Sequence, residues 1–571
     1  MKGPVAPRDP EKKRPKVYFI LEDQIVTSHP HENGFREIIY LEGRVKNKIS
    51  LICPEIDGAF SERLQNSSEF RKIVHSIGVI LEPAEEGHRG LPVTVRLEHY
   101  GKTSKYGSGS TMELETLADG AERIFPLSEL PEGPDDDILG TLFVDSDISG
   151  FAAALTVCFY LEDGFAVPEP KLDPPVSWDS AAYRSMISAS LLSVGRSERM
   201  KKAIRKAEAG EEVTIAFIGG SITQGAGAKP TESRSYAFLT ARLFAERFAK
   251  YPERVKLIKA GVGGTSSEFG LLRYGLHVLR DGNVTPDIVI VEFAVNDEGD
   301  ETKGICYESL INRIWNGPGE PEVVLLFSVF MDDYNLEDRL VPIGTHYGLP
   351  MVSIKRAVSA QFAEGEKRVI SKRQYFYDCY HPSNDGHRIM ADCLFHWMEE
   401  ANAAPEGETE KWPEKPLLGR EYEKPVLIDR NMTGTDFLLQ GISVDHGSFG
   451  SVDRELQAAE WDTDSVASPI FENNWMRPAG TGDLAPFFLR LKCRYLFIII
   501  KDSGSNEVGE AVVYVNGRPV RTLKPREIGW NHCSALLVIP DGEARDYDVK
   551  LSPAAGTEDK FFTVLGFAYG V

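Results

Sequence analysis

Between residues 213 and 354 one pattern recurs: a short apolar run, a loop rich in small or polar residues, then a stretch with apolar residues at helical spacing. The apolar runs fall at 213–218, 255–259, 288–293 and 323–329, with a shorter one at 350–354. Runs without polar alternation are what a strand covered on both faces needs, and strands separated by helix-length segments pair in parallel. Helical spacing is seen at 236–248, 271–279 and 308–315, and at 197–209, where Met200, Ala203, Ile204 and Ala207 recur until Gly210 stops the helix. The middle of the chain is therefore expected to be a three-layer α/β/α domain built on a parallel sheet.

The flanks have a different texture. At 571 residues the chain exceeds what one core of about 250–300 residues can hold. Apolar runs at 17–21, 49–53, 93–97 and 152–161, separated by turn residues, predict an all-β sandwich over 17–175. Pro168, Pro170, Pro174 and Pro175 mark its end. The α/β domain is expected at 176–405, a Pro-, Glu- and Lys-rich linker at 406–424, and a second all-β domain, β-sandwich or jelly-roll-like, at 425–571. In this last domain, runs at 495–501, 511–515, 534–539 and 547–551 read as strands, and Asn516-Gly517 reads as a hairpin turn. Residues 1–16 form a charged, Pro-rich tail.

A formal net charge of −22 argues against nucleic acid or an anionic membrane as partner, since phosphate binding depends on clustered cations. The seven cysteines are odd in number and form no C-x-x-C pair, so neither a disulfide framework nor a zinc knuckle is expected. H-E-x-x-H and the EF-hand loop are absent, so neither a metal nor another cofactor is expected. No apolar segment follows the charged start, and no run of ~18 apolar residues occurs, so neither a secretory signal nor a membrane span is expected. A cytoplasmic location follows if the chain begins where the natural protein begins.

Four motifs carry chemistry. Gly219-Gly220-Ser221-Ile222-Thr223 follows the first strand, at the sheet edge where such folds place ligands. It is neither the nucleophile elbow G-x-S-x-G nor a P-loop, and taken alone it reads equally well as a Gly-rich turn. Gly261-Val262-Gly263-Gly264-Thr265-Ser266 is half a dinucleotide fingerprint, or a loop presenting N–H groups to an anion. Ala294-Val295-Asn296-Asp297 ends the third strand, where an amide can donate to developing negative charge or cap a loop. Asp378-Cys379-Tyr380-His381-Pro382 offers a carboxylate and an imidazole in a short loop, able to act as an oriented general base. His387 reads as structural.

In this order, after successive strands, the four motifs resemble the four blocks of the SGNH hydrolases, also called the GDSL esterase/lipase superfamily. The resemblance covers about 213–400, and the GGSIT form is similar to acetyl esterases acting on plant polysaccharides, several of which carry an added β-sandwich. It implies that Ser221 is the nucleophile, His381 the base and Asp378 the acid that orients it. It also implies an oxyanion hole built from the N–H groups of Ser221 and Gly264 and the side chain of Asn296. Ala294 departs from the usual glycine of the third block and is expected to narrow the cleft. The implied activity is deacetylation of carbohydrate, such as oligosaccharides derived from xylan or another hemicellulose. Alternatives are a lipid or thioester acylhydrolase of the same superfamily and a carbohydrate-binding protein with a degenerate hydrolase domain. The expected partner is a small-molecule or oligosaccharide acetyl ester, and association into a homo-oligomer is left open. Trp461, Trp475 and Trp530 read either as sugar-stacking platforms or as β-sandwich core.

Overall fold

The middle sheet orders its six strands Leu191–Ser193, Met351–Ser353, Glu322–Phe327, Ile288–Glu292, Val213–Gly219, Val255–Gly261. This computed structural model describes residues 14–31, 34–43, 48–52, 56–168, 173–363, 368–405, 411–432, 441–459, 468–503, 505, 507–526 and 530–571. Five of the six strands run parallel, as the apolar runs predict. The sixth, Leu191–Ser193, adds an antiparallel edge and is too short to show a pattern in sequence. Alternate residues of the strand Val213–Gly219 point to opposite faces. Ile215 and Phe217 pack with Ala203, Ile204, Phe244 and Trp397, while Ala216 and Ile218 pack with Phe269, Leu272, Leu310 and Ile314. Both faces are therefore covered by helices, and the three-layer expectation holds.

The helix Glu198–Glu208 buries Met200, Ala203, Ile204 and Ala207, the four positions that predict it. One helix escapes the pattern. His346 and Tyr347, ahead of Gly348-Leu349-Pro350, read as a loop and instead end the helix Glu337–Tyr347, which runs through Pro342.

The N-terminal region packs two five-stranded antiparallel sheets face to face, with Leu81, Leu155 and Val157 of one meeting Val95, Leu97 and Leu142 of the other. It is not purely β. The run at 49–53 opens a helical insertion, Lys48–Ile52, Gly58–Gln65 and Ser67–Ile73, in which Asn66 ends one helix and caps the next. The C-terminal region likewise has two five-stranded antiparallel sheets. Its hairpin turns at Asn516 (φ 49°) and Gly517 (φ 77°), the two left-handed residues that a type I′ turn requires. The described part of the expected linker is docked against the middle domain. Trp412 stacks on Trp315 and Tyr347 at 4.2 and 4.4 Å, and the N–H groups of Leu417, Leu418 and Gly419 donate to the Glu308 carboxylate at 2.6, 2.6 and 2.9 Å.

The N-terminal sandwich is joined to the middle domain by a buried ion pair. Lys229 Nζ lies 2.6 Å from Glu37 Oε2, which also accepts from the Thr27 N–H at 3.1 Å. Removing one partner of such a pair costs ~3–5 kcal/mol, whereas replacing both with apolar residues costs far less. Lys229→Met should therefore lower the first denaturant-unfolding transition clearly, and adding Glu37→Leu should recover most of the loss. Equal destabilisation in the single and double variants would show that the pair does not hold the domains.

Candidate active site

The three strands that carry the first three motifs end level with one another. Gly219 pairs with Gly261 on one side and with Glu292 on the other. The chain leaves the strand Val213–Gly219 for one neighbour and then crosses to the other, a topological switch point where such folds open a crevice at the carboxyl ends. Ser221 is the first residue of the single-turn helix Ser221–Gln224. A Cβ on Gly220 would overlap the Asn296 amide, so that side chain lies directly against the Ser221 loop. A Cβ on Gly263 would stand 3.7 Å from Ser221 Cβ. Gly264 has φ +71°, which disfavours any side chain. Ser221, Gly263, Gly264 and Asn296 are thus brought together from three separate loops.

The fourth motif closes the arrangement. His381 Nε2 lies 2.9 Å from Ser221 Oγ, and His381 Nδ1 lies 2.9 and 3.0 Å from the Asp378 carboxylate oxygens. Asp378 Oδ1 also accepts from the Tyr380 and His381 N–H groups, at 2.8 Å each. Burial pushes the Asp378 pKa up, but the adjacent imidazole and these donors outweigh it, and the carboxyl ends below its ordinary value. A carboxylate accepting a hydrogen bond from Nδ1–H keeps the proton on Nδ1 and leaves Nε2 free to accept from the serine hydroxyl.

The loop bearing Asp378 and His381 is gripped by the N-terminal sandwich. Lys48 Nζ and Gln24 Nε2 both donate to the Tyr377 carbonyl, and Cys379 Sγ lies 3.4 Å from the Leu41 carbonyl. The Tyr40 ring packs 6.0 Å from Tyr380 and 6.1 Å from His381. Lys48 is fully buried, which pushes its ammonium down to about 8 despite the pull of Asp378.

Two further buried groups brace the site from below, and neither has a local sequence signal. Arg273, on the helix Ser267–His277, donates to the carbonyls of Ala260 at 2.7 Å and Gly219 at 2.8 Å. Burial lowers its pKa to about 9. Glu292 accepts from Thr223 Oγ1 at 3.1 Å, and Thr223 also meets Tyr236 Oη at 2.8 Å. The structural reading of His387 agrees with its surroundings. Its Nδ1 accepts from the Tyr236 N–H at 3.2 Å, its Nε2 meets the Ala226 carbonyl at 3.0 Å, and burial drives its pKa to about 3. Of the three tryptophans, Trp475 is core beside Phe487 and Phe567, and Trp530 is 37% exposed and lies over Gly264. Trp461 lies outside the described residues. Among the described residues, no cluster of His, Cys, Asp and Glu could hold a metal ion, and no helix is long and apolar enough to cross a membrane.

The sequence profile of the GDSL-like Lipase/Acylhydrolase family matches residues 217–389, the span from the central strand to the fourth motif. Among curated protein sequences, none matches this chain. A crystal structure of a two-domain esterase (CEX) active on acetylated mannans, co-crystallized with mannopentaose, is similar at TM-score 0.55 and 23% identity, over 67% of this chain and 98% of that one. The same esterase without the mannopentaose gives the same score and identity, over 67% and 99%. A family two carbohydrate esterase from Cellvibrio japonicus aligns over 68% of this chain and 98% of its own, at 11% identity and a TM-score of 0.24.

The acidity of Glu292 generates a pH prediction. Burial, ahead of the donors that partly offset it, raises its pKa from 4.5 to about 7. A raised folded-state pKa contributes stability that is full below the unfolded value and is lost as pH rises through the folded one. The middle domain should therefore lose on the order of 3 kcal/mol between about pH 5 and pH 8 through this group. Glu292→Gln should flatten that part of the profile in thermal unfolding scans, and an unchanged slope would rule the group out as its source.

Proposed function

We propose that this chain, whose residues 217–389 form a GDSL-like lipase/acylhydrolase domain, is a serine esterase that removes acetyl groups from carbohydrate. The observation that carries the reading is the unbroken hydrogen-bonded line from Ser221 Oγ through His381 to Asp378. Serine is a weak nucleophile at its free pKa and needs an adjacent base. His381 takes the hydroxyl proton as Oγ attacks the ester carbonyl, and Asp378 holds the imidazole in the required tautomer and stabilises its charged form. The N–H groups of Ser221 and Gly264 and the amide of Asn296 receive the negative charge on the carbonyl oxygen, and one such donor is worth ~2.7–4 kcal/mol of barrier. His381 then returns the proton to the departing sugar hydroxyl, and water activated by the same imidazole cleaves the acetyl-serine ester.

The substrate class rests on the fold. The two-domain esterase of similar architecture acts on acetylated mannans, so acetylated manno-oligosaccharides join those derived from xylan and other hemicelluloses as the expected substrates. An oligosaccharide needs a cleft with walls, and the N-terminal sandwich packs on the His381 loop while the C-terminal domain packs over Gly264.

Two predictions test this reading. Ser221→Ala and His381→Ala should each reduce kcat for p-nitrophenyl acetate by more than about a hundredfold, and Asp378→Asn by up to ~10⁴. Near-normal turnover in any of these variants would remove that residue from the mechanism. For the substrate, acetate release from acetylated manno- and xylo-oligosaccharides should exceed hydrolysis of butyryl and longer nitrophenyl esters. The opposite ranking would favour a lipid or thioester acylhydrolase.

A further inference from the structure

We propose that the C-terminal β domain is a working part of the hydrolase, with Gln457 as a positioning residue that fixes the peptide plane presenting the Gly264 N–H to the oxyanion. The inference rests on the reading of Gly264 as an oxyanion donor. Gln457 Nε2 donates to the Gly263 carbonyl at 2.9 Å, across a separation of 194 residues in sequence. That carbonyl and the Gly264 N–H belong to one rigid trans peptide and project from opposite sides of it. Holding the carbonyl therefore aims the N–H.

The loop needs such an anchor. A peptide between two glycines has the least steric resistance to rotation of any in a protein, and Gly264 already occupies a left-handed conformation at φ +71°. If this peptide turned over, an oxygen would stand where the oxyanion needs a donor, and the N–H would face the Gln457 amide, donor against donor. Gln457 itself is fixed. Its Oε1 accepts from the Cys533 N–H at 2.8 Å, and its main-chain carbonyl accepts from the Ile470 N–H at 2.9 Å. Cys533 lies in the strand His532–Ile539, paired along its length with Tyr495–Asp502. The C-terminal domain also closes over Gly264, where an added Cβ would stand 2.7 Å from Trp530 Cζ2 and 3.1 Å from His532 Cδ2. A sheet of one domain is thus tied through one amide side chain to one peptide of another.

The test uses the full chain with two substitutions. Gln457→Glu keeps the shape and the acceptor for Cys533 but loses the donor, and Gln457→Leu loses both. Both variants should lower kcat for p-nitrophenyl acetate by about tenfold to a hundredfold, below the full ~10²–10³ for losing an oxyanion donor, with KM within about twofold of wild type. The inhibition constant of phenylboronic acid, whose tetrahedral serine adduct places an oxygen in the same hole, should rise in parallel with the fall in kcat. Circular dichroism and thermal unfolding should match wild type. If folded variants keep wild-type kcat, or lose kcat while boronate inhibition is unchanged, Gln457 is only a docking contact and the inference fails. If Ser221→Ala retains turnover, the catalytic reading itself fails, which is a separate result.

Discussion

Asp378 sets the terms for everything around it. A carboxylate excluded from water is stable as an anion only if donors replace the lost hydration. Here the donors are the His381 imidazole and two N–H groups of its own turn. The exclusion of water is not a property of the turn. It comes from the N-terminal sandwich, which inserts Tyr377 into its own core and lays Lys48, Leu41 and Tyr40 along the loop. Burial strengthens the carboxylate–imidazole interaction, and the same burial requires that the loop never lose its partners. A domain remote in sequence from Ser221 thus sets the electrostatic environment of His381.

The opposite wall likewise depends on partners distant in sequence. The Gly263–Gly264 loop cannot hold itself, because the lack of side chains that allows a substrate close approach also removes local restraint. Its supports come from elsewhere: Arg273 beneath, on the carbonyls of Gly219 and Ala260, and the C-terminal domain above, through Gln457, Trp530 and His532. Ser221, His381, Gly264 and Asn296 therefore sit at a three-way junction, with the parallel sheet as the common floor. The chain is strongly acidic overall, yet Lys48, Lys229 and Arg273 are buried close to this junction. Net charge describes the surface that solvent sees; the field at a buried site is set by the few charges that share its low dielectric.

The sequence by itself determined the parallel sheet, because apolar runs covered on both faces leave a continuous signature, and it marked the residues that meet at Ser221, because Ser221, Gly264 and Asn296 follow strand ends in short motifs and Asp378 and His381 share one short loop ahead of a helix. The helix Glu198–Glu208 and the hairpin at Asn516-Gly517 were legible for the same local reason: spacing and turn chemistry act within a few residues. Elements whose cause is not local were hidden. The edge strand Leu191–Ser193 exists only because Met351–Ser353 offers it a partner, the helix Glu337–Tyr347 persists through Pro342 because of its packing, and the stretch read as a linker docks because Glu308 accepts its N–H groups. Only the tertiary structure decided that Trp475 is core while Trp530 lies over Gly264, and that Lys48, Arg273 and Gln457 donate to the Tyr377, Gly219 and Gly263 carbonyls. Each of these side chains takes its role from a partner far along the chain, and one sequence carries no record of which distant atoms will be brought within hydrogen-bonding reach.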